Sequence, residues 1–147
     1  MTTPRVLVEV SSTVRRVGLA ESAVRSLVEA TLKEEGITDA LISIAFVGRT
    51  AITRLNRQYL RHSGPTDVIS FGMAREAETM PAIGDIYICP EVAARNARTN
   101  GVTLREELSR LVVHGTLHVA GHDHPDDESR IDSEMWKRQE RILARHD

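Results

Sequence analysis

The segment GVTLREELSRLVVHGTLHVAG, residues 101–121, constrains the fold more than any other part of the chain. It is the strongest helical pattern present. Thr103 and Glu106 form a T-x-x-E capping box, and Gly121 stands where a helix would stop. The helix carries His114 and His118 four residues apart, so the two side chains stack on one face about a turn apart. Gly121 lets the chain turn back, and His124 follows on the returning loop. The pattern is H-x-x-x-H-x-x-G-x-x-H. Four of the six histidines in the chain fall within HGTLHVAGHDH, residues 114–124.

Two ligands on a helix and a third on the next loop can meet one ion. Three neutral imidazoles leave the fourth position of a tetrahedral zinc open, which is the catalytic arrangement. Water bound to such an ion ionises near a pKa of about 7 in favourable sites. A structural zinc would want a fourth protein ligand, and Cys89 and His122 are the possible suppliers. The spacing is shared with the metzincin peptidases, but those enzymes need a glutamate after the first histidine as general base. Here that position is Gly115, so the zinc cradle is present and the peptidase base is missing. Gly115 reads as a point on the histidine face where a backbone or substrate approaches closely, at a helix cost of roughly 1 kcal/mol against Ala. His122 reads as a solvated or substrate-facing loop residue. Asp123 has two readings, an acceptor that holds a ligand imidazole or a loop cap.

The rest of the chain alternates short strands and helices. Val6, Val8 and Val10 alternate in a strand over 5–10, and Val24, Leu27, Val28 and Leu32 recur at helical spacing from Glu21 to Glu35. Residues 40–47 are a strand. Residues 50–60 are a helix with Ile52, Leu55, Asn56 and Tyr59 on one face and Thr50 as N-cap. Residues 61–65 are a loop, 66–71 a strand, 72–83 a loop and 84–90 a strand. Pro90 suits the first turn of the helix that follows. The last helix runs from about Asp127 to Arg145, with Ile131, Met135 and Ile142 inward. The expectation is an α+β single domain over 1–147, with one small mixed sheet of about four strands covered by about five helices. The three-histidine metal site would lie at the end of a central helix.

The formal charge of −2 excludes a broad basic field, so any nucleic-acid contact needs a local patch or a metal. Cys89 is the only cysteine and cannot form an intramolecular disulfide, which suits a reducing compartment. The N-terminus lacks the apolar core of a signal peptide, and no run approaches the ~18 apolar residues of a membrane span. These features read as a cytoplasmic protein with no membrane partner.

HGTLHVAGHDH resembles the H-G-x-L-H-x-x-G-x-D-H signature of the YbeY family, bacterial metal-dependent endoribonucleases that act as rRNA maturation factors. LNRQYLRHSGPTDVISF (55–71) is similar to that family's L-N-x-x-Y-R…P-T-D-V-L-S-F block, and GDIYICPEVAARNA (84–97) resembles its G-D-I-x-I block. The resemblance implies one zinc per chain, or another divalent ion, held by His114, His118 and His124. It implies single-stranded RNA as substrate and a role at the 16S rRNA 3′ end of the small ribosomal subunit precursor and in ribosome quality control. Ribosomal proteins or ribosome-associated factors are the implied partners. The family's arginine after the Tyr is here Leu60, with Arg61 next. Its catalytic role passes to Arg61 if the loop shifts by one residue, and otherwise falls to Arg57 or is lost. Arg61, His62 and Arg57 are the nearest candidates to clamp a phosphate. Two other classes stand beside this one: a ribosome-associated RNA- or protein-binding factor with a structural zinc, and a metallo-peptidase or small-molecule hydrolase on the same cradle.

Overall fold

A computed structural model describes residues 5–122 and 133–146. Its elements run β1 (Val6–Ser12), α1 (Glu21–Glu34), β2 (Ala40–Phe46), α2 (Arg49–Leu60), β3 (Val68–Gly72), β4 (Ala82–Ile88), α3 (Pro90–Asn100), α4 (Leu104–Val119) and α5 (Glu134–His146). The strands form one sheet in the order β1-β2-β4-β3. β1, β2 and β4 are mutually parallel, and β3 closes the edge antiparallel to β4. The expected α+β domain with a mixed sheet is therefore the one observed. No helix among the described residues is long and apolar enough to cross a membrane.

Strand alternation sorts the sheet into two unequal faces. On one face the registered rows Val8–Ile42–Gly84 and Val10–Ile44–Ile86 meet α1 and α4 and form the main core. On the other, α2 covers only one end, where Val47, Ile52, Ile69, Cys89 and Val92 make a smaller cluster. Leu7 and Leu41 pair across β1 and β2 on the uncovered part of this face and stay exposed.

α4 lies at the centre of the helical layer, touching α1, α3, α5, β3 and β4. It seats deeply because each surface offers a glycine. A Cβ at Gly84 would lie 2.6 Å from Val119 Cγ2, and one at Gly115 would lie 2.8 Å from Ile86 Cγ2. Both are closer than Cβ atoms approach in folded chains, so two missing side chains let the last turns of α4 rest on β4. Those turns carry His114 and His118.

Local signals set most boundaries. Thr103 Oγ1 accepts the Glu106 backbone N–H at 3.1 Å, the capping bond foreseen at the start of α4. Gly121 follows the helix at φ +109°, where a side chain would be strained. Several boundaries differ from expectation, three of them at contacts that explain the shift. α2 is capped by Gly48 and already contains Thr50, because the turn from β2 closes early and Ile52 N–H reaches the Gly48 carbonyl. β4 begins at Ala82, since Ala82 and Ile83 pair with Ala40 and Leu41. α5 begins at Glu134, because the Ser133 hydroxyl accepts the Trp136 N–H as an N-cap does. Ile131 lies outside the described residues, while Met135 and Ile142 are buried as expected.

Candidate active site

One stripe of α4 forms the floor of the site. Glu107, Leu111, His114 and His118 follow at intervals of three to four residues, so they share a face. The imidazoles of His114 and His118 pack edge to face with centroids 4.8 Å apart. Both are half-buried.

α5 orients this pair through a chain of polar groups. Gln139, 1% exposed, places Oε1 2.7 Å from His114 Nδ1. Its Nε2 donates to Glu140 Oε2 at 2.9 Å. An ionised carboxylate only accepts, so the amide nitrogen must face Glu140 and the amide oxygen must face His114. Nδ1 of a neutral His114 then carries the proton, and the ring's lone pair sits on Nε2. That is the form a metal ligand needs, and a second hydrogen bond of this kind is how such a ligand is held. The donor set, two imidazoles at i and i+4 with one tautomer fixed, fits a divalent ion.

Glu140 is itself held. Arg110 donates through Nε and Nη2 to its two oxygens, each at 3.0 Å. Burial works to raise the Glu140 pKa, but the hydrogen bonds from Arg110 and Gln139 and the guanidinium charge together hold it below the usual carboxylate value. The same pairing raises Arg110, which stays charged throughout.

Two clefts flank the histidines. His114 opens on a cleft of about 540 Å³ whose walls include Asp67, Asn96, Glu107 and Trp136. His118 opens on one of about 420 Å³, walled by the 72–78 segment and by Val119–Gly121. In the first cleft, Asn96 Nδ2 donates to Asp67 Oδ2 at 3.2 Å. Glu107 is buried beside it. Its pKa is raised, first by burial and further by the Asp67 charge, with Arg110 opposing.

The residues singled out by the sequence fall into different places. His114 and His118 are brought together. His124 and Asp123 lie outside the described residues. His122 is part-exposed and has a protein partner: its Nε2 hydrogen-bonds to Glu35, whose other oxygen accepts from Arg138 at 2.7 Å. Packing of α1 against α5 creates that partner, and Glu35 is 87 residues away in the chain. Cys89 is buried in the cluster under α2, away from the helical layer that carries the histidines. Both possible fourth protein ligands are therefore engaged elsewhere. Gly115 faces Ile86 and the sheet, not substrate, so its role is close helix–strand packing. A glutamate there would meet β4, which explains why the metzincin base has no place in this fold.

Arg57, Arg61 and His62 are exposed on the last turn of α2 and the loop after it, and none lines either cleft. Arg61 is the only non-glycine with positive φ among the described residues, at +57°. Buried Asn56 pins this loop by donating to the Gly64 carbonyl at 3.0 Å. The 49–66 segment contains four arginines and no acidic residue, in a chain of net charge −2. Sequence reasoning missed Glu107 and Gln139. Glu107 was within reach, since it lies seven residues before His114 on the same helix face. Gln139 carries no signal, because its partner is on another helix.

The family model described as Endoribonuclease YbeY matches residues 9–147. A protein named Endoribonuclease YbeY from Carboxydothermus hydrogenoformans is 36% identical over 142 residues, covering 94% of this chain and 96% of that one. Another of that name from Beutenbergia cavernae is 42% identical over 112 residues, covering 71% and 73%. The solution structure of a Thermotoga maritima protein superposes with a TM-score of 0.65 at 26% identity, covering 95% of this chain and 89% of that one. With a family model spanning all but the first eight residues and relatives of this identity, the chain belongs to the endoribonuclease YbeY family.

Proposed function

We propose that this chain is a metal-dependent endoribonuclease that cuts single-stranded RNA. The observation that carries the reading is the His114–His118 pair with His114 held in one tautomer by Gln139. His114, His118 and His124 are the proposed ligands of one zinc, or another divalent ion, per chain. Such an ion supplies a Lewis acid and concentrated positive charge at a phosphodiester.

The chain's own residues do the rest. Gln139 and Glu140 hold His114 against rotation. Arg61 clamps a phosphate oxygen pair with its planar fork. Its left-handed backbone supports that role, because glycine would occupy such a position at lower cost and strained residues persist mainly where the side chain is used. Arg57 adds positive charge, and His62 a polar ring, along the path of the strand. The carboxylates of Asp67 and Glu107 keep phosphates out of the adjoining cleft.

The role in the cell proposed here is maturation of the small-subunit rRNA, at the 16S 3′ end, together with ribosome quality control in the cytoplasm. A net charge of −2 holds free RNA weakly, so a ribosomal protein or ribosome-associated factor supplies the positioning. The engagement of Cys89 and His122 elsewhere argues against a closed structural zinc, and Gly115 against Ile86 argues against a peptidase.

The test is cleavage of defined single-stranded and duplex RNAs by zinc-loaded protein and by His114→Ala. The native protein should cut single strands and lose activity on chelation while staying folded. His114→Ala should cut nothing and should fail to clear precursor rRNA in its host. Normal rRNA ends in a strain relying on His114→Ala would refute the catalytic reading.

A further inference from the structure

Glu107 is a carboxylate in an unusual position. It is 6% exposed, lines the cleft beside His114, and has no hydrogen-bond or ion-pair partner for its side chain among the described residues. The nearby Arg110 is committed to Glu140 and Glu106. A largely buried carboxylate that lines a cleft without protein donors takes its hydrogen bonds from whatever occupies that cleft, water or ligand. Burial outweighs the attraction of Arg110 and pushes its pKa up.

What enters this cleft must therefore bring hydrogen-bond donors. The cleft, about 540 Å³, falls within the roughly 300–1,000 Å³ of small-ligand pockets. Its walls mix the carboxylates of Glu107 and Asp67 with the apolar surfaces of Val102, Leu111 and Trp136. An RNA strand with a phosphate at the histidines has to place a neighbouring group here. A phosphate brings no donors and is repelled by both carboxylates. A nucleobase brings donors on its edge and a flat apolar face for Trp136.

We infer that the cleft beside His114 is a nucleobase pocket of the RNA substrate, in which Glu107 accepts from a base with an exocyclic amino group. This rests on the nuclease reading for the identity of the ligand. The selectivity follows from hydrogen-bond patterns. Guanine offers an N–H and an amino group side by side, matching the two carboxylate oxygens. Cytosine and adenine offer one amino group. Uracil flanks its single N–H with two carbonyl oxygens, which face the carboxylate unfavourably. A site built around a polar contact rejects the analogue that lacks the donor.

Trp136 is the only tryptophan and lies in the cleft wall, so its fluorescence reports occupancy. Zinc-loaded full-length protein is titrated with guanosine, cytidine and uridine 3′-monophosphates, and cut sites are mapped on a randomised single-stranded RNA. The guanosine and cytidine nucleotides should alter Trp136 emission at concentrations about tenfold or more below that for uridine, the scale of one base-specific contact. Cut sites should be depleted of uracil at one position relative to the cut. Glu107→Gln, equal in size, carries both donor and acceptor and should abolish the discrimination against uridine in both assays. Should that variant fail to fold, Glu107→Asp keeps the charge, draws it back by one methylene, and should weaken the preference. Equal responses to all three nucleotides, or an unchanged preference in Glu107→Gln, overturns the pocket even if RNA is cut. A selective Trp136 response in protein that cuts no RNA supports the pocket and overturns the nuclease reading instead.

Discussion

The two faces of the sheet handle charge in opposite ways. Under α4 and α5, His114, Gln139, Glu140 and Arg110 form one hydrogen-bonded chain with each link at 2.7–3.0 Å. Around α2, Arg54, Arg57 and Arg61 are exposed and make no ion pair with any described residue. The first arrangement fixes atoms before any ligand arrives. The second offers positive charge that can follow a flexible strand, at little cost in ordering. A phosphodiester needs both: a centre with little freedom and an approach with a great deal. Changes at the centre should act individually. Changes on the approach should act as small, salt-sensitive increments, with Arg61 as the exception set by its backbone.

Arg61 offers the largest test of that contrast. Arg61→Ala should slow RNA cleavage roughly 10²-fold, the scale of one lost transition-state contact. Arg61→Lys should recover part of it, since the charge remains and the fork is gone. Arg61→Gly should lose as much activity as Arg61→Ala while melting no lower than the native protein. It removes a left-handed residue that costs about 1–2 kcal/mol. If Arg57→Ala slows cleavage as much as Arg61→Ala, the approach acts only as diffuse charge and the exception disappears.

Gln139 probes the fixed side. Gln139→Leu keeps the volume and removes both hydrogen bonds. Zinc affinity, measured against a competing chelator, should fall roughly 10–100-fold, as when the partner of a ligand histidine is lost. In metal-free protein, the imidazole nitrogen resonances of His114 should show the proton leaving Nδ1. Unchanged affinity together with an unchanged tautomer would mean that the polar chain is packing and nothing more.

The smallest effects are in pH-dependent stability, and they have opposite signs at the two carboxylates on which Arg110 acts. Glu107 has a raised pKa, so the folded state binds its proton more tightly than the unfolded chain does. Stability is then lost as pH rises from near 4.5 through the folded value, and Glu107→Gln should gain stability relative to the native protein over that window. Glu140 has a lowered pKa, so its contribution is present above about the same 4.5 and is lost as pH falls through the folded value. Glu140→Gln should cost on the order of 1 kcal/mol at neutral pH, and the difference should vanish in acid. Urea titrations across pH measure both. Parallel pH profiles for the two variants would show that their surroundings do not distinguish the two carboxylates.

Several parts of this molecule are legible in its amino-acid order alone. The capping residue Thr103, the stop at Gly121, the alternation of Val6, Val8 and Val10, and the shared face of His114 and His118 all depend on contacts within a few residues. So do the elements of the α+β domain, although their boundaries shifted at Thr50, Ala82 and Ser133, where neighbouring strands and turns competed with the local pattern.

The site is legible only as far as one helix reaches. Spacing identifies which residues share a helix face but not what that face meets. Gly115 reads as a point of close approach for a backbone or a substrate, and what approaches proves to be β4 at Ile86. His122 reads as a loop histidine and proves to be bound to Glu35. The sequence by itself determined the helix, its histidine pair and the family. Tertiary structure decided the tautomer of His114, the fate of His122 and Cys89, and the burial of Glu107. Each of these depends on a partner brought in by packing, from 25 residues away for Gln139 to 87 for Glu35, and local periodicity carries no information across such distances.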